Sequence, residues 1–330
     1  MARHENRAVP SLWSRVATDR RLFYLVPVVA LFIPLIANPY IQFVVNLMLV
    51  YVLVAIGFNI VIGNLGQLAF ANTAFFGIGA YATGILMVYA GLPFWVALIP
   101  GGIAGALAGF LASVTALRGI RLYYLAIITL AFGELMRWIY IHADTVTRGT
   151  DGLPIPLATV FGFALDSEIK KFYVFLIIVV LVVKGTANLL RSRVGRAIMA
   201  IKDNELATAS LGIPTAQYIV LAFIWSGFVV GIAGGMFAVL IGRVVPESFG
   251  LIELIVHFAM VMVGGLGSLA GSVLGAITLT ALPEYFRSFP GLEEMFFGVL
   301  LVLVLLFRPK GLASFLAQYM PIFRERFYRE

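Results

Sequence analysis

Apolar runs succeed one another from end to end of this chain, broken only by short charged or glycine-rich stretches. They fall at about 22–38, 43–62, 67–90, 93–117, 121–141, 172–190, 216–241, 251–263, 269–282 and 292–307. A helix of about 20 apolar residues crosses the hydrocarbon core of a bilayer. Of 330 residues, 62% are hydrophobic and 12% charged, where a soluble domain is about half apolar and about a quarter charged. A soluble enzyme, a nucleic-acid module and a disordered tail are thereby excluded as the main body. Lipid satisfies no backbone polar group, so the runs must be helical, and the expected architecture is an all-α polytopic membrane protein of about 8–10 transmembrane helices, some short or broken. The stretch at 251–282 is too long for one helix and is split by Gly264, Gly265 and Gly267. Its halves either cross separately or form a re-entrant hairpin.

Charge sets the orientation. With cytoplasmic termini and alternating sides, 17 basic residues lie inside: Arg3, Arg7, Arg15, Arg20, Arg21, Arg118, Arg121, Lys184, Arg191, Arg193, Arg196, Lys202, Arg308, Lys310, Arg324, Arg326 and Arg329. Five lie outside: Arg148, Lys170, Lys171, Arg243 and Arg287. That bias supports N- and C-termini in the cytoplasm and an even number of crossings. The net charge of +7 therefore reports topology rather than a nucleic-acid partner. The chain divides into a basic cytoplasmic N-terminus (1–21), a transmembrane domain (22–308) and a cytoplasmic tail (309–330). Two loops are substantial, 142–171 outside and 191–214 inside. The first apolar run follows basic residues, as in a signal peptide. It is longer than the usual apolar core, and Leu35-Ile36-Ala37 is no small-x-small cleavage site, so an uncleaved span is expected. No cysteine occurs, which removes disulfides, thiolate metal sites and cysteine nucleophiles. No Gly-Lys-Ser/Thr triplet occurs either, so the chain is not itself an ATPase.

The inner loop holds good helix formers at 196–203, an Asn204 suited to cap a second helix from Glu205, and a Gly212–Pro214 stop. It reads either as a membrane-surface loop or as a coupling helix that docks on a cytoplasmic partner. The segment Gly63-Asn64-Leu65-Gly66-Gln67-Leu68-Ala69, continuing to Tyr81, combines small residues with amides and hydroxyls. Such groups point into the protein in a membrane, as packing glue or as a pathway lining with a broken start. Five of its first seven positions recur in Gly264-Gly265-Leu266-Gly267-Ser268-Leu269-Ala270. Two-repeat transporters place helix breaks at such corresponding positions. Glu134, Arg137, Glu253 and His257 are ionisable groups within spans, spaced to form local pairs. Those pairs are structural or, alternatively, part of a proton relay. The outer motif Thr147–Pro154 reads as a tight turn capped by Asp151. No metal-ligand spacing, nucleophile elbow or paired intramembrane aspartates appear, so the case for an enzyme is thin.

Five segments together resemble the LivM-type permeases of bacterial branched-chain amino acid ABC transporters. They are Gly66–Phe70 with Phe75–Tyr81; Leu117–Ile120 with Thr129–Glu134; Thr150–Leu153; Gly195–Ala197 with Ala200–Glu205 and Leu211–Ile213; and Gly264–Gly271. The similarity runs from about 45 to 311, and the part around 117–134 favours the LivM-type over the LivH-type. The resemblance implies a permease subunit of an importer, paired in the membrane with a LivH-type permease. It implies two cytoplasmic ABC ATPases carrying ATP and Mg, a periplasmic substrate-binding protein, and no cofactor or metal on this chain. It makes 191–214 the coupling region, with Arg196, Lys202, Asp203, Glu205, Ala207 and Gly212 as candidate contacts to the ATPase. Gln67, Asn72, Thr73 and Glu134 are the candidate pathway residues, and Thr150 and Asp151 the candidate contacts to the binding protein. Permeases for urea or short amides look much alike, and an ion-coupled carrier working alone is the alternative mechanism.

Overall fold

The computed structural model describes residues 38–117 and 123–286, with isolated positions from 298 to 312. The basic N-terminus, the first apolar run, Arg118 and Arg121, and most of the last run and of the tail lie outside the described residues.

The major helices are α1 (Pro39–Asn59), α2 (Asn72–Tyr89), α3 (Phe94–Leu117), α4 (Tyr123–His142), α5 (Glu168–Arg191), α6 (Arg193–Asp203), α7 (Glu205–Ser210), α8 (Thr215–Ile241), α9 (Leu251–Gly264) and α10 (Leu269–Phe286). Five stretches are long and apolar enough to cross a bilayer: Pro39–Asn64, Phe94–Val114, Tyr124–His142, Glu168–Arg191 and Thr215–Ile241. The body is a predominantly helical, polytopic bundle.

Helix α8 is the axis, packed against α3, α2 and α1. Its closest contacts are made through glycines. A Cβ at Gly227 would collide with the Gly105 carbonyl on α3, one at Gly79 with the Gly231 backbone, and one at Gly234 with the Phe76 carbonyl. Water gives no hydrophobic drive inside lipid, so such close backbone approach, with its dispersion contacts, holds membrane helices together. Polar bridges add to it. The Ser226 hydroxyl donates to Gly57 O at 2.7 Å, and the Trp225 indole donates to the Thr186 hydroxyl at 3.0 Å, tying α8 to α1 and α5. Asn46 of α1 donates to the Glu168 carboxylate at 2.8 Å at the start of α5.

One end of the bundle carries short strands. Strand β1 (Leu153–Pro154) pairs antiparallel with β4 (Arg243–Val244), joining the α4–α5 loop to the segment after α8, while β2 (Thr159–Val160) pairs with β3 (Phe163–Ala164). The Arg243 guanidinium donates to Asp151 O at 2.8 Å. The expected turn at Thr147–Pro154 is present, with Arg148, Gly149 and Gly152 all at positive φ, and the side chain bonded within it is Thr147, whose hydroxyl accepts from Gly149 N at 3.3 Å. Lipid-exposed strands would be impossible, but here they sit in loops beyond the helices.

The opposite end holds the helix breaks. Apolar character alone suggested a span from 67, but α2 starts at Asn72. Before it, α1 runs into a π-helical turn at Ile60–Asn64, and residues 65–71 are non-helical. The second break, at 265–268, separates α9 from α10. Tyr51, midway along the α1 stretch, bonds to Glu253 in the first turn of α9. Tyr40, at the start of α1, bonds to Glu284 near the far end of α10. Helix α9 therefore begins level with the middle of α1 and descends about 20 Å to the breaks, and α10 returns the full depth.

Candidate coupling and translocation site

The two related heptads, far apart in the chain, meet at the break end. Gly66 and Gly267, equivalent in the repeat, both adopt left-handed backbone, with φ of 77° and 81°. Asn59 joins the breaks: its amide donates to Ser268 O at 3.0 Å and the Ser272 hydroxyl at 2.8 Å, and accepts from Gly267 N at 2.8 Å. Asn64 donates to Gly267 O at 3.2 Å. The non-helical strand between α1 and α2 is kept satisfied within the protein, Phe70 N donating to the Thr129 hydroxyl of α4 at 2.7 Å and Gln67 N to Val61 O at 3.1 Å. Irregular backbone at membrane depth survives only when enclosed in this way.

The charged elbow lies against these breaks. Ser192 caps α6 by accepting from Val194 N at 3.1 Å, and Asn204 caps α7 by accepting from Ala207 N at 3.0 Å, as its sequence position predicted. Helix α6 buries Ala197, Ile198 and Ile201 and leaves Arg193, Arg196 and Lys202 outward. The Lys202 ammonium turns back to donate to Gly63 O at 2.8 Å, and its stem lies against Gly66. Asp203, Ala207 and Gly212 are exposed and Glu205 half-buried. Gly212 has φ of 78° with open space around it, the left-handed C-terminal stop that only glycine adopts without cost. Leu206 and Leu211 stand out bare beside them, 73% and 80% exposed.

Higher up, a polar cluster occupies the level where α9 begins. The Tyr51 hydroxyl donates to Glu253 Oε1 at 2.6 Å. His257 Nε2 lies 3.4 Å from the same oxygen, within ion-pair range but outside hydrogen-bond geometry. Asn72 Nδ2 lies 3.2 Å from His257 Nδ1. Asn72 Oδ1 and Gln67 Oε1 are buried without a hydrogen-bond partner. Asn72 thus belongs to this cluster, while Gln67 sits in the break strand. Thr73, next along α2, is fully buried. Glu134 stands apart on α4, paired with Arg137 at 3.4 Å and 44% exposed. Thr150 and Asp151 are exposed at the strand end. Sequence reading missed Tyr51 and Asn59. An amide inside an apolar run, as at Asn59, was the available signal. Among the described residues no group of His, Asp and Glu is arranged to hold a metal ion.

Discontinuous helices that meet under a charged elbow, inside a glycine-packed apolar bundle, define a membrane transport permease. The family described as "Branched-chain amino acid transport system / permease component" matches residues 40–305, and the chain belongs to it. It is 36% identical over 293 residues to the high-affinity branched-chain amino acid transport system permease protein LivM of Escherichia coli, covering 82% of this chain and 69% of that relative. It is 30% identical to the corresponding permease protein BraD of Pseudomonas aeruginosa, covering 83% and 95%. To LivH of Escherichia coli it is 24% identical, covering 79% and 90%. No solved structure matches. The chain is accordingly a multi-pass permease subunit of the inner membrane, not an enzyme, and ATP hydrolysis resides on partner subunits.

Proposed function

We propose that this subunit forms, with a LivH-type permease, the pathway of an ATP-driven importer for leucine, isoleucine and valine. A periplasmic binding protein delivers the substrate and two cytoplasmic ATPases drive the cycle. The relatives named above are all branched-chain amino acid permeases, and none is a urea or amide permease. The break end is cytoplasmic in this reading, because Lys184, Arg191, Arg193, Arg196 and Lys202 gather there. The chain makes about 8–10 crossings, with both termini in the cytoplasm; within 251–282 the half-length α9 reaches the breaks from mid-depth and α10 makes the full crossing.

The observation that carries the reading is the Lys202–Gly63 bond. It links an elbow that only a cytoplasmic partner would touch to the place where two transmembrane helices are broken. ATP-driven closure of the ATPase dimer would move α6 and α7 through Arg196, Asp203, Glu205, Ala207 and Gly212, with Leu206 and Leu211 seated in the ATPase cleft. Lys202 would pass that movement to the breaks, and the pathway beside Gln67, Asn72, Thr73 and Glu134 would change its open side. Thr150 and Asp151 would meet the binding protein at the periplasmic end.

Two measurements test this. Tagged protein purified in mild detergent is expected to bring down a second permease and ABC ATPases. In proteoliposomes, Glu205→Ala and Arg196→Ala are expected to lower leucine uptake per ATP while membrane insertion is kept. Unchanged uptake per ATP in both variants would exclude the elbow as the coupling element. Leucine movement by the lone protein without ATP would exclude the importer.

A further inference from the structure

The outer loop carries an apolar hairpin that the importer function leaves unused. Strands β2 and β3 pair Thr159 with Ala164 and Val160 with Phe163, so the turn between them is Phe161-Gly162. Both turn residues have positive φ, 48° and 84°. Such two-residue turns suit the twist of a hairpin and ordinarily take asparagine, aspartate or glycine at the first position. A phenylalanine there is strained, and its ring is put to use. It stacks on Trp95, with centroids 4.7 Å apart and planes 23° apart. Phe161 and Phe163 are nonetheless 74% and 76% exposed, and Leu157, just before β2, is 61% exposed. From Gly152 to Leu165 no charged residue occurs, and Thr159 is the sole polar side chain. Bare rings grouped in this way on a loop in water are an aggregation hazard.

What covers them follows from Trp95. It stands in the first turn of α3, at the start of the membrane-crossing stretch Phe94–Val114. Ile99, Ile103, Leu107 and Leu111 follow it at four-residue spacing, 49–60% exposed, as one outward stripe below it. The small residues of α3 lie on the other side: a Cβ at Gly105 or Gly109 would strike the backbone of α8, and one at Gly101 the Thr83 hydroxyl of α2. Helices in a bilayer associate through small residues, so a stripe of bulky aliphatic chains without them faces lipid. Tryptophan concentrates where such a surface meets water, and Phe161 continues the surface from there onto the hairpin.

We propose that the hairpin at 157–164 is a lipid anchor. Leu157, Phe161 and Phe163 sink between the headgroups of the outer leaflet, beside Trp95, as far as the upper ends of the acyl chains. At that level the backbone of two short strands still meets water and headgroups, and only the side chains enter the apolar boundary. The lysines that follow, Lys170 and Lys171, are paired with Asp166 and Glu168, so apolar burial rather than attraction to a charged headgroup makes the contact. The anchor thus tethers to the membrane the same loop that carries Thr150 and Asp151. The contact with lipid is independent of the importer function, and only its assignment to the outer leaflet takes its side from the orientation proposed above.

The test uses the whole complex, with cysteine-free partner subunits, in phospholipid nanodiscs. A spin label at Phe163→Cys is read for collisions with oxygen, which concentrates in lipid, and with a water-soluble nickel chelate. A label at Asp166→Cys, whose native side chain is 58% exposed in the same loop, is the aqueous reference. The oxygen-to-nickel ratio at 163 is expected to be several-fold above the reference and to stay there when leucine-loaded binding protein is added. A ratio equal to the reference overturns the proposal. Nickel access that disappears only on adding the binding protein assigns the surface to that protein and overturns it as well. Should Phe163→Cys fail to assemble, Leu157→Cys is read in the same way and decides. Nanodiscs expose both faces of the complex, so the result depends on neither orientation nor transport, and leucine uptake by the unlabelled complex tests the importer function separately.

Discussion

Lys202 does two things that its position in the chain conceals. It belongs to a charged loop, yet its ammonium is spent on a carbonyl 139 residues away. Lys202→Met keeps the apolar stem against Gly66 and removes the donor. The expected result is several-fold less leucine per ATP with stimulated ATP hydrolysis retained, measured in the same proteoliposomes. Asn59 is the complementary case, fully buried and bonded on both its amide atoms across the two breaks. Asn59→Leu leaves Gly267 N and Ser268 O without their partner. A destabilisation of about 1–3 kcal/mol is expected, read as a lower midpoint in thermal denaturation of the detergent-solubilised complex. Lys202 was legible as a candidate because charge clusters in loops stand out. Its partner was not, because a main-chain carbonyl exposed by a π-helical turn leaves no mark in the sequence. Glu134–Arg137 and Glu253–His257 were legible as pairs, since spacings of three and four place side chains on one helix face.

The elements were legible where apolar length alone decides them. The runs expected at 93–117, 121–141 and 216–241 correspond to α3, α4 and α8 within a residue or two. Where a run contained a break, hydropathy failed, because Leu65, Leu68, Ala69 and Phe70 are as apolar in an extended strand as in a helix. The internal repeat supplied what hydropathy lacked: both heptads mark breaks, and the glycine at their fourth position, Gly66 or Gly267, is left-handed in each. Gly66→Ala and Gly267→Ala therefore meet backbone strain of about 1–2 kcal/mol apiece. The glycines of α8 answer a different demand, that of contact. Gly227→Val would drive a branched side chain into the backbone of α3 at Gly105. Loss of the folded subunit is expected, seen as aggregation on size exclusion and rapid proteolysis in the membrane, whereas Gly185→Ala on α5, whose surroundings are open to ordinary contact, is expected to be tolerated.

Across the whole molecule, burial is uneven. The windows of α1 and α8 are 72% buried, but those of α4 and α5 only 22% and 28%. Helix α4 shows Tyr124, Ile127, Leu135 and Trp138 along one face, with the half-exposed Glu134 and Arg137 beside them. Charged groups in a span avoid lipid and face protein or water, so α4 is expected to meet the partner permease and α5 the lipid. The absence of native cysteine makes this simple to check. Leu135→Cys is expected to crosslink to the second permease, and Ile177→Cys on the exposed face of α5 to react with a lipid-phase maleimide instead. The opposite pattern would reverse the assignment. The apolar residues did not distinguish these two faces, since lipid and a neighbouring apolar helix select the same ones; only Glu134 and Arg137 mark α4 as different.

The half-length of α9 also bears on how the protein is made. Its 14 residues are too few to be accepted as a span as they leave the ribosome, and they carry Glu253 and His257 besides. Tyr51 and Asn72, which meet Glu253 and His257, are synthesised earlier, while α10, which packs along α9, is synthesised later. The chain must therefore hold α9 back until α10 emerges, and then thread the pair as one unit into a slot that α1 and α2 have already prepared. Biogenesis of this subunit is thus ordered by its own sequence, and the short helix that carries Glu253 and His257 enters the bilayer only after its place exists.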